Sequence, residues 1–287
     1  MLCGFGVGEI ARGLLITRAA AKKRIQRAKQ VLAEQNVSLE MPGVDELQDR
    51  LAVVHNVLYL MFNEGYSTSH GHEPIRDELC EEAARLCHML CQQQEYSSPT
   101  TRALLALMLF HASRLESRID SEGAVVLLEE QDRSLWDRNL IRAAESWLMR
   151  SGGGEVSTFH FEAAIAAQHV RAASVAETNW DVIIKLYDRL LELRNSPIYV
   201  LNRAIARGQA GDVGLAFKEL RSIRDQKAMS DYFLLDCAEA RLHELNGDTS
   251  SAIDSYLAAM ARNMAEHEKI LVQRKLSKLG TSRSQED

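Results

Sequence analysis

The last third of the sequence repeats itself at an interval of 36 residues. A Gly-Asp pair recurs at this interval, with small residues on either side of it and a larger apolar residue further along. The paired positions are Ala204, Gly211, Asp212, Ala216 and Leu220, which correspond to Ala240, Gly247, Asp248, Ala252 and Tyr256. Gly followed by Asp is typical of a turn, and small residues let two helices cross closely. The interval therefore predicts stacked helix pairs, because one such unit cannot bury its apolar face alone.

The rest of the chain has the composition of a helical protein with a core. Of 287 residues only 4 are proline and 16 are glycine, too few for a loop-rich all-β protein, and 46% are hydrophobic. The sequence has neither an apolar stretch that would span a membrane nor a signal-peptide pattern at its start. The 5 cysteines favour reduced thiols in a cytoplasmic protein. We expect an all-α fold.

Three segments are predicted, with boundaries at 1–36, 43–175 and 176–287. A linker over Gln35–Gly43 contains Pro42 and separates the first two segments. In the middle segment we expect helices near 44–61, 76–94, 101–115, 134–149 and 161–173 and a polar loop at 67–74. Residues 118–129 are expected to form either an extended piece or short strand, or an irregular crossing segment. Residues 264–279 are more polar and are expected to cap the stack of helix pairs.

The first segment carries most of the basic character of the chain. Residues 1–34 contain 7 basic and 2 acidic side chains, a charge of +5, which leaves −11 for the remainder of a chain whose net charge is −6. A short helix over 8–15 is followed by Thr17 as an N-cap and by a basic helix over 19–34. Its apolar stripe is Ala21, Ile25, Ala28 and Leu32. Two helices joined by a tight turn predict a helix-turn-helix, although a solvated basic helix would show the same charge.

Metal-binding and catalytic motifs are weak in this sequence. His70, His72, Cys80, Cys87 and Cys91 lie within 22 positions, but no Cys-x-x-Cys pair is present, so the cysteines are interpreted as apolar residues of one buried helix face. There is no nucleophile elbow, Walker A sequence or dinucleotide-binding glycine motif. We therefore expect no enzyme activity, no cofactor and no metal. Glu64, Arg76 and Glu82 are expected to pair with one another as structural ion pairs.

Residues Gly4 to Leu32 resemble region 4 of bacterial extracytoplasmic-function (ECF) sigma factors. Glu9-Ile10-Ala11, Lys22, Arg24-Ile25 and Arg27-Ala28 match that pattern without gaps. The resemblance implies that the second helix contacts a −35-type promoter element through Arg18, Lys22, Lys23, Arg24, Gln26 and Arg27. For Arg24, packing against the first helix is the alternative.

The middle and last segments resemble one subgroup of these sigma factors, which carries a C-terminal extension of tetratricopeptide (TPR)-like repeats. The matching residues, for which the resemblance implies structural or regulatory roles, are Phe62, Asn63, Glu64, Gly65, Tyr66, Arg76, Glu82, Arg85, Gln131, Asp132, Arg133, Trp136, Asn202 and Arg203. The resemblance runs to about Lys278. It departs from the family at Ser157–Glu162, where the family has Gly-Pro-Tyr-x-hydrophobic-Gln.

The resemblance implies a cytoplasmic regulator of transcription initiation that binds promoter DNA and the RNA polymerase core. Its activity would be controlled by the helical extension, with a protein partner on the TPR-like repeats and no membrane contact. In this family region 2 precedes region 4, and the sequence begins inside region 4, so we expect it not to melt promoters alone. The alternative is a helical TPR-like scaffold without DNA function.

Overall fold

The computed structural model describes residues 5–34, 43–68 and 74–283. Within these ranges the chain forms thirteen α-helices and no β-strand, which confirms the all-α expectation. The helices are α1 (Val7–Gly13), α2 (Arg18–Glu34), α3 (Val44–Tyr66), α4 (Asp77–Gln92), α5 (Pro99–Ala112), α6 (Arg138–Arg150), α7 (Thr158–Arg171), α8 (Trp180–Leu193), α9 (Pro197–Gln209), α10 (Val213–Arg224), α11 (Phe233–Leu245), α12 (Thr249–Met260) and α13 (Glu266–Arg283). The predicted linker over 35–42 and residues 69–73 of the predicted loop, with His70 and His72, lie outside the described residues. None of the helices in the described ranges has the length and apolarity that crossing a bilayer requires.

Helices α1 and α2 form a pair at the start of the chain. Thr17 caps α2 as predicted, because its Oγ1 accepts a hydrogen bond from the backbone N–H of Ala20 at 3.2 Å. The turn between the helices places Leu15 at a φ of 52°, in the left-handed region that non-glycine residues rarely adopt. The predicted apolar stripe of α2 is only partly covered. Its first member, Ala21, is fully buried, whereas Leu32 is 58% exposed.

Helices α3 to α7 enclose the largest core of the molecule, the body. Phe62 and Phe110 are fully buried in it. Cys80, Cys87 and Cys91 point into the same core as free thiols, as their spacing on one face of α4 predicts. Between α5 and α6 the segment 118–129 is irregular, the second of the two expected alternatives. Helix α6 begins later than predicted because Asp137 accepts hydrogen bonds from two backbone N–H groups and caps it at Arg138.

Helices α8 to α13 form a stack in which each helix packs against the next one along the chain. The 36-residue repeat corresponds to two equivalent turns within this stack. Asp212 and Asp248 cap α10 and α12, and each accepts a hydrogen bond from the N–H three residues ahead, at 3.2 and 3.0 Å. The preceding Gly211 and Gly247 have φ values of +94° and +74°, which favour glycine. The four repeated alanines are all fully buried: Ala204, Ala216, Ala240 and Ala252. The repeat thus encodes two equivalent turns and helix crossings.

The last helix contacts the first two segments as well as its neighbour α12. Glu268 at the start of α13 pairs with Arg12 of α1 at 2.5 Å. Further along, Arg274 pairs with Asp120 at 2.5 Å and Lys275 with Glu129 at 3.1 Å, both in the segment before α6. Helix α13 was expected to cap the stack, and it also connects the stack to α1 and to the body.

Candidate functional site

The polar side chains that α2 presents to solvent are those predicted to contact DNA. We call Arg18, Lys22, Lys23, Arg24, Gln26 and Arg27 the basic face, and all six residues are exposed. In the described part of residues 1–50, the ion pairs are formed by Glu9, Arg12, Glu46 and Arg50, and not by the lysines of the basic face or by its Arg24 and Arg27. Arg24 is exposed to solvent and does not pack into a core. The charges of Lys22, Lys23, Arg24 and Arg27 are therefore not neutralised by ion pairs among the described residues.

Helix α2 is held from its opposite side by α1. Ala11 of α1 is 5% exposed, and α2 supplies the fully buried Ala21. Helix α1 in turn lies against the body. A Cβ on Gly13 would come within 2.9 Å of the Leu60 side chain of α3, and Glu9 lies 3.9 Å from Arg76. The body thus fixes α1, and α1 fixes the orientation of the basic face.

The aromatic motif at the end of α3 is part of the body core. Phe62 is 2% exposed and stacks on Tyr66, with ring centroids 6.0 Å apart. Between them, Gly65 approaches the start of α4 closely. The backbone N–H of Arg76 donates to the Gly65 carbonyl at 2.8 Å, and a Cβ on Gly65 would lie 2.8 Å from the Arg76 carbonyl oxygen. Asn63 is exposed on this helix and Glu64 is buried. Glycine at 65 is therefore a packing requirement.

Three arginines surround this motif and form what we call the arginine cluster, Arg114, Arg118 and Arg133. The Arg118 guanidinium lies over the Tyr66 ring, with Cζ 3.7 Å from the centroid. Arg114 is 6% exposed and donates to the Tyr66 hydroxyl at 3.0 Å. Arg133 lies over Trp136 at 4.7 Å. Arg114 also lies over the Trp136 ring, with Cζ 6.0 Å from the centroid, so aromatic rings contact all three guanidinium groups.

The arginine cluster lacks carboxylate partners. Arg133 Nη1 donates to the backbone carbonyls of His169 and Ala172 at 2.8 and 2.5 Å, and none of the ion pairs between described residues includes any of the three arginines. One buried nitrogen of each has no hydrogen-bond partner, namely Nε of Arg114, Nε of Arg118 and Nη2 of Arg133. Buried donors without a partner are rare in native proteins and call for a bound water or ion. Arg114 is buried and Arg118 and Arg133 are half-buried, so the cluster is a partly buried region of positive charge.

Burial and the positive charge of the arginine cluster lower the pKa of two nearby histidines, His111 and His169. Burial holds the pKa of His111 well below its usual range, and the guanidinium groups of Arg114 and Arg118 lower it further. Burial, together with Arg114 and Arg133, lowers the pKa of His169 to about 4. Both imidazoles are therefore neutral at physiological pH.

Gln131, Asp132 and Trp136, which are among the residues that carry the family resemblance, lie beside Arg133 of the arginine cluster. Trp136 is 2% exposed, and its Nε1 donates to the Ser117 hydroxyl at 2.9 Å. Gln131 is 7% exposed and donates to the carbonyl of Val126 at 3.1 Å. Asp132 caps the short 3-10 turn that begins at Arg133, since it accepts a hydrogen bond from the N–H of Ser134 at 2.8 Å. These residues fix the irregular segment before α6.

The predicted pairing of Glu64, Arg76 and Glu82 is wrong. Arg76 pairs with Glu78 at 3.4 Å and with Glu9, because it lies at the N-cap of α4 and faces α1. Glu82 instead pairs with Arg85 one turn further along α4, at 2.6 Å and on the surface. A helical spacing of three residues makes this local partner the nearer one.

The last two matching residues lie in α9, away from the arginine cluster. Arg203 bridges Asp188 of α8 at 2.7 Å and Glu219 of α10 at 2.8 Å. Asn202 lines a cavity between the body and the helix stack. In the described residues no three His, Cys, Asp or Glu side chains are grouped in a way that could hold a metal ion.

No site role was predicted for Arg114 and Arg118, the other two members of the arginine cluster. Arg114 follows a buried helix and Arg118 lies in an irregular segment, where periodicity gives no signal. Only their tertiary contacts with Tyr66 reveal their role.

The fold and site define an all-helical protein with a basic N-terminal helix pair, a body containing a partly buried arginine cluster and a stack of repeated helix pairs. Residues 50–152 match a family of unknown function, DUF6596. An uncharacterized protein of Rhizobium meliloti (strain 1021) is 40% identical to the chain over 207 residues, which amount to 72% of this chain and 49% of the relative. The chain thus spans about half the length of the curated relative it matches. No solved structure matches the chain. The family match includes the arginine cluster and excludes the basic face.

Proposed function

We propose that this protein is a sigma-factor-like regulator of transcription initiation in the cytoplasm. It binds −35-type promoter DNA and the RNA polymerase core through a helix-turn-helix formed by α1 and α2. The observation that carries the proposal is the exposure of Lys22, Lys23, Arg24 and Arg27 on the basic face of α2, four cations that form no ion pair with a carboxylate of the described residues. The proposal assigns no catalytic residue and no cofactor.

The spacing of the basic face suits a helix that enters the major groove. Arg18, Lys22 and Gln26 follow one another at intervals of four, as do Lys23 and Arg27, so the two rows lie side by side. Lysine and arginine neutralise phosphates, while arginine and glutamine have the donor geometry to contact guanine and adenine edges. The fixed position of α1 on the body presents these rows as a rigid unit.

The helix stack is the proposed regulatory extension. We interpret α9 to α12 as divergent TPR-like repeats, since two helix pairs share buried alanines and Gly-Asp turns at equivalent positions. Control of the helix pair at the start of the chain is supported by the 2.5 Å contact between Arg12 and Glu268. A protein partner on the stack would act through this contact.

The test measures DNA binding against salt concentration. A duplex is selected from a randomised pool by the purified full-length protein, and its affinity is followed by fluorescence anisotropy. Each phosphate contact contributes about −0.9 to the slope of log K against log salt, so Lys22→Ala combined with Arg27→Ala should reduce the slope by about 1.8. Lys185→Ala with Lys218→Ala, two exposed lysines in α8 and α10, is the matched control. Salt-independent affinity, or an unchanged slope in the Lys22/Arg27 variant, would refute the proposal.

A scaffold without DNA function is the second candidate, and the net charge of −11 outside residues 1–34 favours it. It predicts that the Lys22/Arg27 variant captures the same protein partner as the unmodified chain. The sigma-like proposal predicts that this variant loses RNA polymerase core and promoter DNA together. Co-purification from the native cells distinguishes these two candidate functions when the Lys22/Arg27 variant and the unmodified chain are present at equal levels.

A further inference from the structure

A cavity of about 420 Å³ lies between the body and the helix stack. Helices α7, α8, α9, α11 and α13 and residues 127–129 contribute to its walls. Much of the lining is apolar, with Leu127, Leu128, Ile183, Leu201, Ile205 and Phe233 among its side chains. This volume and lining are those of a small-molecule site, and they are too confined for a folded partner.

Arg133, Arg241, Lys275 and Glu129 are the charged residues that line the cavity. Arg241 also pairs with Glu244 at 2.6 Å and Lys275 with Glu130 at 3.4 Å. Arg133 is therefore the lining cation that forms no ion pair among the described residues. Glu129 already pairs with Arg241 at 2.6 Å and with Lys275 at 3.1 Å, and it forms no ion pair with Arg133. His169, which also lines the cavity, is neutral and adds no charge. The cavity therefore has an apolar body and a positive end.

Arg133 is the residue at that positive end. Its Nη1 is used by two backbone carbonyls, and its Nη2 is buried without a hydrogen-bond partner. Arg114 and Arg118 stand behind it and are likewise without carboxylates among the described residues. Because Arg133 lines the cavity and forms no ion pair among the described residues, an anion in the cavity would compensate its charge, which a water molecule would not.

We infer that this cavity binds a small amphipathic carboxylate, with its apolar chain or ring among the leucine and isoleucine side chains and its carboxylate on Arg133. The inference does not depend on the proposed DNA-binding function. The competing occupant is an apolar side chain of a protein partner, which would need no anionic group.

The test compares charged and neutral probes of equal shape on the full chain. Decanoate and naphthoate are titrated by calorimetry beside decanol and naphthalenemethanol. A charge-assisted hydrogen bond to Arg133 should make each carboxylate bind at least about tenfold more tightly than its alcohol. Arg133→Gln should remove this preference, and Ile205→Trp should fill the cavity and weaken both kinds of probe. Arg142→Gln, an exposed arginine of α6 outside the cavity, is the control and should bind as the unmodified chain does.

Circular dichroism and urea midpoints establish that each variant is folded. If Arg133→Gln does not fold, because two backbone carbonyls lose their donor, Ile205→Trp carries the test alone. Equal binding of acids and alcohols would overturn the inference in favour of an apolar side chain. Failure of both carboxylates to bind at about 1 mM, or binding that Ile205→Trp leaves unchanged, would also overturn it.

Discussion

Replacing Gly65 by alanine tests the contact between α3 and α4 that positions the aromatic motif. The added Cβ would lie 2.8 Å from the Arg76 carbonyl oxygen and 2.9 Å from both the backbone nitrogen and the Sγ of Cys80. Two of these three atoms belong to the backbone at the start of α4. They cannot move aside as the end of a flexible side chain can, so the helices must separate.

The expected loss of stability follows from three opposing effects. Overpacking of a close helix contact costs about 1–3 kcal/mol. Separation of the helices also weakens the 2.8 Å hydrogen bond from the Arg76 N–H to the Gly65 carbonyl, which contributes about 1 kcal/mol. Alanine in place of glycine within a helix returns about 1 kcal/mol. The free energy of unfolding should therefore fall by about 1–3 kcal/mol.

Urea denaturation followed by far-UV circular dichroism measures this change. Gly214→Ala in α10 is the matched control, since a Cβ there meets no atom within 4 Å and only the helix propensity changes. We expect Gly214→Ala to raise the urea midpoint slightly and Gly65→Ala to lower it. A Gly65→Ala midpoint equal to or above that of the unmodified protein would refute the packing argument.

Three further experiments with substitutions test contacts elsewhere. The half-buried Glu162 accepts hydrogen bonds from Tyr59 and Tyr199, and burial raises the pKa of its carboxyl. The stability that this carboxyl contributes is therefore present below its unfolded pKa and is lost as pH rises through its folded pKa. In urea melts the stability of Glu162→Gln should rise relative to that of the unmodified chain as pH increases above the unfolded pKa, and a pH-independent difference would contradict this. Asp212→Ala and Asp248→Ala should each lower the free energy of unfolding by about 1 kcal/mol, because both cap a helix in the same way, and unequal losses would argue against their equivalence. A double-mutant cycle with Arg12→Ala and Glu268→Gln should yield a coupling energy of about 1 kcal/mol, and additive effects would show that the 2.5 Å pair does not stabilise the fold.

The parts of the fold that local chemistry dictates were predictable from the sequence. Thr17 satisfies the N-terminus of α2 with its own side chain, so this cap could be predicted without knowledge of the tertiary structure. The cysteine spacing on α4 identifies a buried face for the same reason. The repeat at 36 residues predicted equivalent turns because a glycine with positive φ and a capping aspartate are both local requirements.

Tertiary contacts between distant segments were not predictable in this way. Arg76 was assigned a partner within its own segment, but its position at the N-cap of α4 directs it toward Glu9 of α1. Arg114 and Arg118 meet Tyr66 only because α3 and α5 pack together. The lower part of the α2 stripe, ending at Leu32, has the pattern of a covered face and is exposed within the described residues. Periodicity specifies which face is apolar and leaves open what covers it.

Helix α13 brings the three segments of the chain into physical connection. The carboxylate of Glu268 has two separate roles, since Oε1 binds Arg12 of α1 and Oε2 accepts the N–H of Ala265 where α13 begins. Seven residues later, on the same side of the helix, Lys275 lines the cavity and pairs with Glu129 of the body. A change in the cavity that shifts α13 therefore acts on the carboxylate that holds α1. Because α1 in turn packs against α2, α13 and α1 provide a continuous series of contacts between the stack and the basic face.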